Sequence, residues 1–95
     1  MLSIDRIKTA ASKLAGYYPI KKVSLFGSYA EGTADETSDV DLLVEFTTPS
    51  VSLFTLSDLK SAMEGELQKE VDIVHAPEPD ESFLKLRKVI QIYEQ

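Results

Sequence analysis

Apolar residues recur at helical spacing from the start of the chain. Ile4, Ile7, Ala11 and Leu14 share one stripe and predict a helix over residues 3–15. Ser3 is placed to cap its start, and Gly16 is expected to end it in a left-handed conformation. Pro19 then forces a turn. Val23 to Phe26 read as a short strand stopped by Gly27. Asp39 to Phe46 read as a second strand, mostly apolar as a central strand should be, and Pro49 with Ser50 breaks it. Leu53, Leu56, Leu59, Met63 and Leu67 mark a second long helix with one clean apolar stripe. "EVDIVH", residues 70–75, predicts a third strand, "APEPD" a loop, and Glu81 to Lys88 a final helix. The stretch "VIQIYE" fits either further helix or a short edge strand.

Connection lengths turn these elements into a topology. The spacer between the first two strands is short for a parallel crossover, so that pair is expected to be antiparallel. The longer, helix-bearing stretch before the third strand suits a right-handed parallel crossover. The expected fold class is therefore α/β (α+β), a small mixed sheet with helices packed against it. At 95 residues the chain is expected to be one domain, 1–95. In this topology Gly27-Ser28, Asp39 with Asp41, and Asp72 converge at one edge of the sheet.

Composition narrows the function. A hydrophobic share of 43% is ordinary for a globular protein and too high for a disordered one. No apolar run reaches the length of a membrane span, and no signal segment opens the chain, so no membrane is expected. The absence of cysteine removes disulfides and thiolate metal sites, and suits a cytoplasmic protein. A net charge of −6 argues against direct nucleic-acid binding, which needs a cationic face. A basic protein partner, or a ligand accompanied by divalent metal, fits that balance better.

Two aspartates in the second strand are the feature a core strand does not explain. Asp39 and Asp41 lie two apart, so their side chains leave the same face, and Asp72 near the start of a neighbouring strand can join them. Three carboxylates this close repel one another. No lysine or arginine adjoins them in sequence, and Mg²⁺, a hard cation with a preference for oxygen ligands, is the economical relief. Two such ions could orient an attacking oxygen and stabilise a leaving pyrophosphate. Gly27 lets a phosphate approach the backbone, and Ser28, at the start of a short helix "SYAEG", offers a hydroxyl to phosphate oxygens. Carboxylate-held metal on one side and donors on the other describe a cradle for a nucleoside triphosphate.

Other tempting residues have plainer readings. His75 ends the third strand and makes no metal site alone. Tyr17 and Tyr18, beside Pro19, read as cover for the helix–sheet junction, whereas Tyr29, inside the loop, is open between packing and base stacking. Lys85, Arg87 and Lys88 form a basic patch that helix C-terminal placement explains. Glu45 shares the aspartates' face, but further along the strand.

"GSYAEGTADETSDVDLLVEF", residues 27–46, resembles the signature of the DNA polymerase β-type nucleotidyltransferase superfamily: Gly-Ser, a spacer, then Asp-x-Asp. The short chain, the "VDIV" strand and the ending "IQIYEQ" resemble its minimal nucleotidyltransferase (MNT) branch. The resemblance implies that Gly27 and Ser28 bind triphosphate, that Asp39, Asp41 and Asp72 hold two Mg²⁺, and that Asp72 is the base for the incoming hydroxyl. It further implies transfer of AMP from ATP to a hydroxyl, a tyrosine of a HEPN-domain RNase toxin encoded nearby, so that the chain serves as the antitoxin. One position departs: the family usually carries arginine in Gly-Ser-x-Ala-Arg-Gly, where this chain has Glu31. That exchange leaves a second expectation standing, a catalytically feeble antitoxin that neutralises its partner by occlusion.

Overall fold

In a computed structural model, which describes residues 2–48, 50–76 and 88–95, the chain opens with α1 (Ile4–Leu14). The Ser3 hydroxyl accepts from the Arg6 N–H at 3.2 Å and caps it. Its far end departs from expectation. Gly16 is not among the positive-φ residues. Instead Ala15 remains right-handed, and the N–H groups of Gly16, Tyr17 and Tyr18 fold back onto the carbonyls of Lys13 and Leu14. A tightened last turn satisfies those carbonyls without a left-handed residue.

β1 (Ile20–Phe26), the short α2 (Ser28–Glu31) and β2 (Val40–Phe46) follow. After them come α3 (Leu53–Leu67), β3 (Val71–Ala76) and β4 (Ile90–Glu94). β1 is longer than the apolar run predicts, because Ile20 and Lys22 join the ladder with β2. "VIQIYE" resolves as the edge strand β4, antiparallel to β1. The sheet runs β3-β2-β1-β4, with β1 and β2 antiparallel and β2 and β3 parallel across α3, as the connection lengths predict. The expected loop and final helix fall largely on residues 77–87, outside the described residues.

One face of the sheet is the core. Val23 and Leu25, Val40, Leu42 and Val44, and Val71 are fully buried there with Ile7 and Ala11 of α1 and Leu59 and Met63 of α3. Each large apolar side chain so buried contributes about 1.5–3 kcal/mol. The two helices are tied at their edge, where Lys13 pairs with Glu66 at 2.7 Å and the Arg6 guanidinium donates to the Glu66 carbonyl at 3.0 Å. The stripe of α3 is shorter than its spacing predicts. Packing begins with half-buried Leu56, while Leu53 stays 82% and Phe54 87% exposed. Strand alternation puts Asp41, Leu43 and Glu45 on the other face of β2, away from the helices. Among the described residues no helix is long and apolar enough to cross a membrane.

Candidate active site

The register of the sheet gathers the candidate residues. Asp41 of β2 stands beside Asp72 of β3, and on its other side opposite Phe26, the last residue of β1. Gly27 therefore leaves the sheet directly against the Asp41 side chain. Asp39, one residue ahead of β2, lies on the same side as Asp41 by strand alternation. Ser28 opens α2 on the neighbouring rim. Residues spread over positions 27–72 thus share one end of the sheet.

Gly27 is glycine for two separable reasons. Its φ of 75° and ψ of −154° lie in a region essentially closed to residues with a Cβ. A Cβ built there would also overlap the Asp41 carboxylate, with Asp41 Cγ at 3.2 Å and Cβ at 3.4 Å. The Gly27 carbonyl accepts from the Glu31 N–H at 3.0 Å, which closes the single turn of α2. Gly32, left-handed at φ 76°, ends that turn with its N–H on the Ser28 carbonyl, where Thr33 N–H also donates at 3.0 Å.

The loop back to β2 is built from its own polar groups. The Asp35 carboxylate accepts from the Thr37 N–H at 2.8 Å, the Thr37 hydroxyl at 2.7 Å and the Ser38 hydroxyl at 3.3 Å. Those hydrogen bonds, Thr37's foremost, hold the Asp35 carboxyl below the usual carboxylate range. Two long-range bonds dock the loop on the lead-in to β3: Val40 N–H donates to the Glu70 carbonyl at 3.0 Å, and Lys69 Nζ to the Glu36 carbonyl at 2.7 Å. Lys69 belongs to no sequence motif, and only the fold reveals its contact.

Electrostatics separate Asp41 from an ordinary surface acid. Burial pushes its carboxyl above the usual range, and the negative charges of Asp72 and then Asp39 push it the same way, with a hydrogen-bonding contact to Asp72. Among the described residues, no three His, Cys, Asp or Glu side chains already form a ready-made cage for an ion. The donor set nevertheless suits a hard divalent cation: all oxygen, mutually repelling, and beside a glycine that leaves the backbone accessible. Glu45 is drawn elsewhere, to Lys21 at 3.5 Å. His75 packs edge-on against Phe46, with ring centroids 5.2 Å apart. Tyr29 packs into the core, 7% exposed, and among the described residues its buried hydroxyl has no hydrogen-bond partner. Tyr17 does not cover the helix–sheet junction; it is 78% exposed.

Known proteins resemble this chain in sequence and in fold. A profile of the nucleotidyltransferase domain family matches residues 4–95. Protein adenylyltransferase MntA of Thermococcus cleftensis is 35% identical over 92 residues, covering 94% of this chain and 92% of that one. A chain of a toxin–antitoxin crystal structure with AMP-PNP superposes with a TM-score of 0.78 at 21% identity, covering 93% of this chain and 73% of its own. A chain of the complex between tri-AMPylated Shewanella oneidensis HEPN toxin and MNT antitoxin gives 0.73 at 18% identity, covering 98% and 74%. At those identities the two structures speak for the fold.

Proposed function

The chain belongs to the nucleotidyltransferase domain family, and from that premise we propose that it is a protein adenylyltransferase acting on a HEPN-type toxin, and so an antitoxin. The observation that carries the reading is the meeting of Asp41 and Asp72 in adjacent strands, with Asp39 at their side and Gly27-Ser28 on the rim. The relative named MntA supports the reaction, and the fold shared with toxin–antitoxin chains supports the biological setting.

The place of each residue supports the chemistry we assign to it. Gly27 admits the triphosphate to the backbone, and the Ser28 hydroxyl donates to a phosphate oxygen. Asp39, Asp41 and Asp72 would hold Mg²⁺, two ions in the fullest form of the proposal. When bound, Mg²⁺ neutralises charge on the phosphates and on the leaving pyrophosphate. Asp72, the more exposed of the paired carboxylates, faces solvent where an acceptor arrives, and takes the hydroxyl proton. The acceptor oxygen forms a bond to the α-phosphorus, the bond from that phosphorus to the bridging oxygen breaks, and pyrophosphate departs.

Incubation with labelled ATP, Mg²⁺ and the protein encoded beside it tests the proposal. Label is expected on a tyrosine of the partner, and Asp39→Ala with Asp41→Ala abolishes both labelling and neutralisation. Absence of label, with neutralisation undiminished in the double variant, leaves occlusion as the mechanism. Glu31 at the position where the resemblance expects arginine is the feature that favours that second reading.

A further inference from the structure

The charged residues of α2 and of the loop that delivers Asp39 to the site are all acidic. Residues 28–39 carry Glu31, Asp35, Glu36 and Asp39 and no lysine or arginine. A loop of this charge tends to swell away from a site that already concentrates carboxylates. We infer that Lys69, from outside the loop, is a positioning residue: its ammonium clamps the peptide between Glu36 and Thr37 and so fixes the path of the chain into Asp39. The inference rests on the nucleotidyltransferase reading above.

The geometry of that one peptide carries the argument. Its carbonyl, on Glu36, accepts from Lys69 Nζ at 2.7 Å, while its N–H, on Thr37, donates to the Asp35 carboxylate at 2.8 Å. A cation at one end and an anion at the other polarise the peptide in the same sense, so each bond strengthens its neighbour. Removal of the ammonium weakens both.

Lys69 also stands on a firm base. Gln68 before it adopts a left-handed conformation, φ 56°, unusual for a residue with a side chain, and its side-chain Nε2 donates to the Gly65 carbonyl at 2.7 Å. Two residues on, the Val71 N–H is held by the Glu64 carboxylate at 3.0 Å, and the Glu70 carbonyl takes the Val40 N–H. The segment 68–71 is thus fixed to α3 on one side and to the start of β2 on the other. Beside the clamp lies a cleft of about 490 Å³ whose lining includes Arg6, Glu36 and Lys69. Water there can take over the Glu36 carbonyl when the ammonium is gone. The loss then falls on the loop's constraint rather than on a stranded buried group, and overall stability changes little.

The test compares wild type with Lys69→Met, Lys69→Arg and, as a control on the exposed side of α3, Lys60→Met. In metal-free protein, amide exchange at Thr37, Ser38 and Val40 is expected to quicken roughly tenfold in Lys69→Met, and to stay near wild type in the other two. Calorimetric affinity for AMP-PNP with Mg²⁺ is expected to fall by roughly three- to tenfold in Lys69→Met and to be restored by Lys69→Arg. Unchanged exchange at those amides overturns the clamp. Faster exchange with wild-type affinity overturns its link to the site. If wild type binds no AMP-PNP with Mg²⁺, the functional reading fails instead, and the exchange arm still separates a clamp from a passive surface contact.

Discussion

Gly27 and Asp41 constrain each other at the scale of single residues. Gly27→Ala asks a Cβ to share space with the Asp41 carboxylate in a backbone conformation it does not tolerate. The expected cost is about 1–3 kcal/mol, with adenylyl transfer lost because the Asp41 side chain must turn away. Denaturant unfolding alongside the transfer assay checks both, and wild-type activity in Gly27→Ala would contradict the assignment. Asp41→Asn should act in the opposite sense on stability. It removes a charge that burial, Asp72 and Asp39 all disfavour, so the metal-free variant should melt a few degrees higher while transfer disappears. An unchanged or lower melting temperature in the presence of chelator would show that the carboxylates do not strain the fold. Asp35 provides the pH test. Its carboxyl is held low by its hydrogen bonds to Thr37 and Ser38, so its contribution is present through neutral and mildly acid pH. That contribution is lost only in stronger acid, as pH falls through the lowered value. The Thr37 amide resonance, followed from about pH 6 to about pH 2.5, should therefore move only near the acid end.

Among the elements, α3 separates what spacing can tell from what it cannot. Leu59, Met63 and Leu67 are buried as their period demands, yet Leu53, on the same stripe, stands in solvent with Phe54 beside it. Periodicity records which residues share a face; it does not record where the neighbouring sheet ends. Leu59→Ala should accordingly cost about 2–5 kcal/mol, and Phe54→Ser no more than about 0.5 kcal/mol, both by urea denaturation. A large loss at Phe54 would mean that its first turn packs after all. The edge strand shows the same limit. "VIQIYE" suits two periods at once, and only its ladder with β1 selects the strand. Gly16 misled for a local reason, since a tightened turn over Lys13 and Leu14 serves as well as a left-handed cap. The candidate site was more legible than these ends, because Gly27-Ser28 and Asp39-x-Asp41 sit close in sequence and connection lengths alone bring Asp72 to them. Lys69 was not legible at all. A side chain reaching a carbonyl 33 positions away leaves no pattern of spacing or composition.

Across the whole molecule, the site's charge and the chain's net charge of −6 have the same sign, so a triphosphate meets repulsion unless a cation accompanies it. On the proposed reading, metal and nucleotide bind with positive coupling, because each lowers the electrostatic cost of the other. Ligand-linked stability makes this measurable without any acceptor protein. At about a hundredfold excess over its dissociation constant, AMP-PNP with Mg²⁺ should add about 2.7 kcal/mol to the folded state. AMP-PNP with chelator, or Mg²⁺ at the same concentration alone, should add far less than half of that each. The asymmetry depends on Asp39, Asp41 and Asp72 acting together, so Asp39→Ala with Asp41→Ala should erase the coupling and leave at most a weak response to nucleotide. An equal stabilisation by AMP-PNP with and without Mg²⁺ would mean that the triphosphate sits away from the carboxylates. The acidic end of the sheet would then be an electrostatic feature of the fold and not its active site.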